Sequence, residues 1–341
     1  MSELRVRPVR GLPRLGAGDD LAGLLAAALA DAPPGDELAD GDVVCVSSKA
    51  VAKTEGRVVA VGREVVAQEE TVRVVARRGP LRVARTRHGL VLAAAGVDVS
   101  NTEPGTVVPL PVDPDASARR LRAELGHRTG RRVAVVVTDT AGRAWREGQT
   151  DLAVGCAGLA PLMDLAGQTD AYGTVLEVTA PAIADEVAAA ADLVTAKDAM
   201  TPAAVISGLG SLVLPADEHG PGAVALSRAE AHDLFGLGTG DAVLAAVRRA
   251  EPDRAGFAVD PRDFGVRVAE LARVASAPFG DELRITSDPS TGTVRAQGDP
   301  VAAGALGERL RVLGWAVGCA VRTLRRPEPG DTAAWRLIDS P

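Results

Sequence analysis

The chain has 341 residues, 46% hydrophobic and 24% charged, enough for two domains or one large one with a sizeable core. A formal net charge of −7 and a pI near 5.3 argue against a general nucleic-acid binder. Aromatic residues make up only 2% of the chain, so the core must be built from Ala, Val and Leu. No apolar run approaches the ~20 residues needed to span a bilayer, and residues 1–10 lack the apolar stretch of a secretory leader. A cytoplasmic protein without membrane or nucleic-acid partners is expected. Cys45, Cys156 and Cys319 are odd in number, far apart and without metal-ligand spacing, which reads as buried small hydrophobes in a reducing compartment. His88, His127, His219 and His232 show neither metal spacing nor a triad partner.

In chain order, Gly18-Asp19-Asp20-Leu21 reads as a turn and helix N-cap, and Asp40-Gly41 as a turn before a strand over residues 42–47. Residues 65–78 have helical spacing, and 81–83 and 89–94 read as short strands about Arg87-His88. Residues 115–129 predict an amphipathic helix, capped by Asp115 or Ser117 and followed by Gly130. V-A-V-V-V at 133–137 predicts a buried strand that stops at Thr138-Asp139-Thr140. Residues 181–196 predict a helix with proline in its first turn, and 203–206 a further strand. The glycine-rich stretch 236–240 reads as a hinge or linker. Beyond it come helices over 241–249 and 263–276, a hairpin of 282–287 with 293–296, a helix over 302–315 and a strand over 316–323. Strands and helices mix without regular βαβ alternation, which predicts an α+β fold with domains over 1–236 and 241–341.

Three segments carry chemistry. Asp139-Thr140-Ala141-Gly142 ends an apolar strand with a carboxylate and hydroxyls, followed by Arg143 and Arg146, which suit a metal ion and a bidentate clamp on phosphate or carboxylate. The D-x-x-G pattern of P-loop GTPases is excluded here, because neither G-x-x-x-x-G-K-[ST] nor N-K-x-D is present. A strand-end Asp capping a turn, with arginines in surface salt bridges, is the plain alternative. Asp98 and Asn101 in A-A-A-G-V-D-V-S-N could share a cation and a ligand oxygen, or form an Asx-type turn. Lys49 and Lys53 behind Ser47-Ser48 suit triphosphate, or simply make a solvated basic helix end.

Taken in order, seven segments over about residues 8–215 resemble the coenzyme F420-0:L-glutamate ligases, also called F420-0:gamma-glutamyl ligases. They are G-L-P-R-L with G-D-D-L; D-G-D-V-V-C-V-S-S-K-A-V-A-K-T-E-G-R; A-A-A-G-V-D-V-S-N; L-P-V-D-P-D-A-S-A; V-T-D-T-A-G-R-A-W-R-E-G-Q-T-D-L-A-V-G-C-A-G-L; D-L-A-G-Q-T-D-A-Y-G; and A-D-E-V-A-A-A-A-D-L-V. The resemblance implies a homodimeric, family-specific α+β fold, neither Rossmann nor P-loop. It implies a GTP-dependent amide ligase that joins L-glutamate to the deazaflavin precursor F420-0 through an acyl phosphate, using one or two Mg2+ or Mn2+ ions, with K+ a further candidate. By motif match, Asp98, Asp139 and Thr140 fall on metal ligands, and Leu12, Pro13, Arg14, Leu15, Ser48, Lys53 and Asn101 on GTP contacts. Arg143 and Arg146 would face an anionic substrate group.

Two departures stand out. Residues 195–200, T-A-K-D-A-M, lack the Gln-containing motif of archaeal members, with Lys197 a candidate to substitute as a charge. The tail is about half the length of the flavin-binding domain that actinobacterial relatives carry, so no flavin site is expected. A related ligase with another acceptor or amine, or a nucleotide-binding regulator without turnover, are the alternatives.

Overall fold

The computed structural model describes residues 3–195, 201–229, 262–324 and 328–339, with residues 233, 235, 238, 242–244 and 247. The chain divides into two compact units, Met1–Ser227 and Arg228–Pro341. In the first, the elements are β1 (Arg5–Pro8), α1 (Leu21–Ala30), β2 (Val43–Ser47), α2 (Ser48–Thr54), α3 (Arg63–Glu69), β3 (Thr71–Arg78), β4 (Leu81–Thr86), β5 (Val91–Ala93), α4 (Pro114–Thr129), β6 (Ala134–Gly142), β7 (Gln149–Ala157), α5 (Ile183–Asp192) and β8 (Ala203–Ser207).

A five-stranded sheet runs in the order β1-β8-β2-β6-β7, with β2 and β6 parallel and every other neighbour antiparallel. Strand periodicity splits its side chains between two cores. Val44, Val46, Val135, Val137 and Val205 face Leu25 of α1 and Leu121 and Leu125 of α4. Val43, Cys45, Ala134, Val136, Ala204 and Ile206 face Ala184, Val187, Ala188 and Ala191 of α5. The central strands are buried on both faces, which is why their sequences are unbroken apolar runs. The α+β expectation stands: the sheets are mixed or antiparallel and none is closed.

Local signals place the helices. Asp20 caps α1 by accepting from the Gly23 amide at 2.9 Å. Asp113, not Asp115 or Ser117, caps α4, accepting from the Ala116 amide at 2.8 Å, and Gly130 ends it in the left-handed conformation at φ 67°. Asp115 instead accepts from the amides of Cys156 and Ala223, at 2.8 and 2.7 Å. On α4, the buried Arg122 guanidinium donates to the carbonyls of Val133, Glu218, Leu214 and Pro215, tying the chain at 214–218 to the sheet. The helix expected over 65–78 is instead α3 followed by β3. T-V-R-V alternates from Thr71 onward and pairs with β4, so strand pairing wins over the helical spacing. The strand expected to stop at Thr138 runs on to Gly142, because β7 pairs with it along that whole length. A second, three-stranded sheet, β3-β4-β5, packs Leu92 against Leu110 and Ala141 and so seats residues 94–98 beside β6.

The second unit contains α6 (Phe264–Ser276), β9 (Leu283–Asp288), β10 (Thr293–Gly298), α7 (Pro300–Ala316), β11 (Cys319–Thr323) and β12 (Ala333–Asp339). An antiparallel sheet, β11-β12-β10-β9, buries Val294, Trp335 and Leu337 against Val268, Leu271, Leu306 and Leu310 of the helices. The expected hairpin is present, its turn held by Asp288 accepting from Ser290 and Thr291. Strand β12 was not anticipated. Most of the helix expected over 241–249, most of residues 236–240, the loop 196–200 with Lys197, and His232 lie outside the described residues.

Candidate active site

Parallel pairing aligns Ser47 of β2 with Thr138 of β6, so both strands deliver their C-terminal ends to one place. Helix α2 begins there at once, with the Ser47 hydroxyl accepting from the Ala50 amide. From the other side, β5 leads into a left-handed turn in which Ala94, Ala95 and Gly96 take φ of 48°, 52° and 74°. Two alanines in that region cost roughly 1–2 kcal/mol each. Ala95 is buried, and a Cβ at position 96 would crowd Leu92 and Leu110, in the turn that presents Asp98.

A cavity of about 460 Å3 opens between these elements. It is lined by Pro13, Arg14 and Leu15, by Ser48, Lys49 and Lys53 of α2, by Asp98 and Asn101, by Asp139 and Thr140 of β6, and by Asp151 and Asp192. Four aspartates against three basic side chains leave the lining one charge negative.

The carboxylates are held in different ways. Ser48 donates to Asp139 Oδ1 at 2.6 Å. Burial pushes the Asp139 carboxyl up to about 7, with Asp151 and Asp98 adding repulsion and the Ser48 hydrogen bond acting against it. Asp98 is half-buried, yet its ion pair with Lys49 at 2.6 Å and the amide and hydroxyl of Ser100 outweigh desolvation and hold it down at about 2. Asp151 accepts from Thr138 Oγ1 and Thr140 Oγ1, both at 2.8 Å. Lys53 donates to the Asn101 carbonyl at 2.5 Å, and burial, with Lys49 and Arg14 nearby, lowers its pKa.

Among the described residues no three His, Cys, Asp or Glu side chains form a ready-made metal cage. The oxygen donors nonetheless suit a small hard cation, since Mg2+ keeps several waters and takes only one or two carboxylates plus phosphate oxygens. Asp139 has no ion pair among the described residues, and two neighbouring carboxylates raise its pKa, a field that a dication would relieve. With Thr140 Oγ1–H directed to Asp151, the lone pairs of that oxygen are left for another ligand.

Most of the residues singled out in sequence converge here: Pro13, Arg14, Leu15, Ser48, Lys53, Asp98, Asn101, Asp139 and Thr140 all line the cavity. Leu12 packs against the core instead. Arg143 and Arg146 do not line it; they lie exposed on the β6–β7 hairpin tip, because β6 continues past Thr140 and carries them outward. At Asp98 both readings of the sequence hold at once, since it makes an Asx-type turn with Ser100 and faces the cavity. Sequence reasoning missed Asp151, which sits in Q-T-D-L with no apolar run to mark it, and it left Lys49 without the Asp98 ion pair it makes.

The site is thus a cleft lined by carboxylates, basic side chains and hydroxyls, built at the ends of two parallel strands. The sequence profile of the F420-0:gamma-glutamyl ligase family matches residues 11–77 and 63–208. Over 222 residues, the chain is 40% identical to the coenzyme F420:L-glutamate ligase of Methanothermobacter thermautotrophicus, covering 59% of this chain and 87% of that protein. It is 36% identical over 227 residues to the enzyme of the same name from Archaeoglobus fulgidus, covering 60% of this chain and 88% of the relative. The chain belongs to the F420-0:gamma-glutamyl ligase family. No helix among the described residues is long and apolar enough to cross a membrane.

Proposed function

We propose that this protein joins L-glutamate to the deazaflavin precursor F420-0, driven by GTP and a divalent metal ion, through an acyl-phosphate intermediate. The observation that carries this reading is the pairing of a basic wall, Arg14 and Lys53, with an acidic floor, Asp139 and Asp98, in one cavity. Amide formation from a free carboxylate is uphill in water, so the carboxyl must be activated. Its oxygen attacks the γ-phosphorus, the bond to the β-phosphate oxygen breaks, and GDP leaves. The glutamate amine then adds to the acyl carbon, loses a proton and expels phosphate.

The chain's own part is positioning and charge neutralisation. Lys53 and Arg14 would face the phosphates, whose negative charge would offset the burial and the Lys49 and Arg14 repulsion that lower the Lys53 pKa. Asp139, Asp98 and Thr140 would hold Mg2+ or Mn2+, which when bound neutralises charge on the phosphate oxygens. Asp98 leaves Lys49, or shares it, to do so. GTP is the nucleotide that the sequence resemblance implies. A homodimer is what the sequence resemblance implies, and the exposed Tyr172, Val175 and Val178 between β7 and α5 would be available to such a contact.

The test is incubation with F420-0, L-glutamate, metal and either GTP or ATP, using F420-0 labelled with 18O in its carboxylate. The expected result is glutamylated product with GTP, and one labelled oxygen in the released phosphate. Product without label in the phosphate would exclude the acyl phosphate; no product would exclude the ligase reading.

A further inference from the structure

We infer that Trp145 is the platform on which the flat ring of the carboxylate acceptor stacks, with Arg143 and Arg146 facing anionic groups of the same molecule. The inference rests on the ligase reading and names the acceptor's binding surface. The chain contains three tryptophans. Trp315 and Trp335 are buried at 5% and 4% exposure, whereas Trp145 is 91% exposed. It also holds φ at 63°, a left-handed conformation that is an outlier for a bulky side chain. Exposure of a large aromatic forgoes its burial energy and the backbone conformation costs strain, and such strain collects at ligand-binding positions. Arg143 and Arg146, on either side, are exposed and make no ion pair or hydrogen bond among the described residues.

Direction supplies the ligand. The acceptor's carboxylate must reach the phosphate end of the cavity, beside Asp139 and Thr140. The rest of that molecule must leave the cavity, and β6 runs outward from those two residues to the hairpin tip. Trp145 lies five residues after Thr140, so the two are at most about 18 Å apart even on a fully extended chain. That span fits a molecule with a carboxylate at one end and a flat heteroaromatic at the other. An indole face takes such a ring by stacking, and guanidinium groups take anions along the linker. Under the ligase reading the nucleotide would contact residues 13–15 and α2, which line the cavity, leaving the hairpin for the second substrate.

The test combines equilibrium dialysis of F420-0 with steady-state kinetics for wild type, Trp145→Ala and Trp145→Phe. Stacking predicts F420-0 binding weakened about tenfold in W145A and within about threefold of wild type in W145F. The KM for F420-0 should rise in parallel, while kcat and the KM for GTP stay unchanged. Iodide quenching of tryptophan fluorescence, which reports the exposed Trp145, should fall when F420-0 is added. Wild-type glutamylation with F420-0 bound equally by W145A would overturn the inference alone. A wild type that neither binds nor glutamylates F420-0 would overturn the ligase reading and this inference together. Shielding from iodide that follows protein concentration without F420-0 would assign Trp145 to a second copy of the chain and overturn it as well.

Discussion

The Ser48 hydroxyl donates to Asp139 Oδ1 at 2.6 Å, joining the first turn of α2 to β6 at the floor of the cavity. That bond, helped by the nearby Lys49 charge, favours the ionised form of Asp139 against burial and two neighbouring carboxylates. Ser48→Ala should therefore raise the Asp139 pKa further and weaken metal binding by roughly 10–100-fold, the usual effect of losing a partner that orients a ligand. A Mn2+ titration with GTP present checks this; unchanged affinity would separate Ser48 from the metal.

Asp139 also predicts a pH signature. Its folded-state pKa, about 7, lies above its ordinary value of 3.8. The native state keeps the proton after the unfolded chain has lost it, so this contribution to stability is fully present below the ordinary value and is lost as pH rises through about 7. Asp139→Asn removes the slope. In chelator, the variant should melt close to wild type at about pH 4 and above it at about pH 8. Thermal melts at both pH values measure this, and a parallel pH dependence would contradict it.

Asp151 takes two threonine hydroxyls, one of them on the buried Thr138. Asp151→Ala orphans both, at a cost of about 1–3 kcal/mol for the buried one. It also frees the Thr140 hydroxyl to turn away from the orientation that suits a cation. Asp151→Asn keeps an acceptor and should recover part of the stability. Denaturant melts and Mn2+ binding on both variants give the comparison; D151A with wild-type metal affinity would leave Asp151 a purely structural role.

Gly158 has φ 76°, and a Cβ there would strike the Arg122 guanidinium. Gly158→Ala should therefore cost roughly 2–4 kcal/mol, combining left-handed strain with disturbed hydrogen bonds to buried carbonyls. Chemical denaturation reads this directly. A loss below about 0.5 kcal/mol would mean that Arg122 has room to move aside.

What could be read from the sequence follows from how strongly each segment is determined locally. Asp139 was legible because five apolar β-branched or small residues lead into it, and a strand buried on both faces has no other composition. Asp98 was legible from its A-A-A-G lead-in, although the left-handed turn at Ala94 and Ala95 that aims it was not, since alanine does not advertise that conformation. Asp151 was hidden because β7 starts among polar residues at the hairpin end, and its strand identity comes from pairing with β6. Residues 71–78 went the same way: β4 decides their conformation, and local spacing points elsewhere. Arg143 and Arg146 follow Asp139 closely in sequence, but each residue advances a strand by ~3.3 Å, so β6 carries them out of the cavity lining.

On the function proposed, the cavity joining Asp139, Asp98, Arg14 and Lys53 runs GTP-driven glutamylation of F420-0. The most direct measurement is mass spectrometry of F420-0 after incubation with L-glutamate, GTP and Mn2+, with GDP and phosphate quantified alongside, for wild type and Asp139→Asn. The account predicts a product heavier by whole glutamyl residues, one GDP and one phosphate per residue added, and none of these with the variant. Unmodified F420-0 with the wild type, or undiminished product with Asp139→Asn, would contradict it.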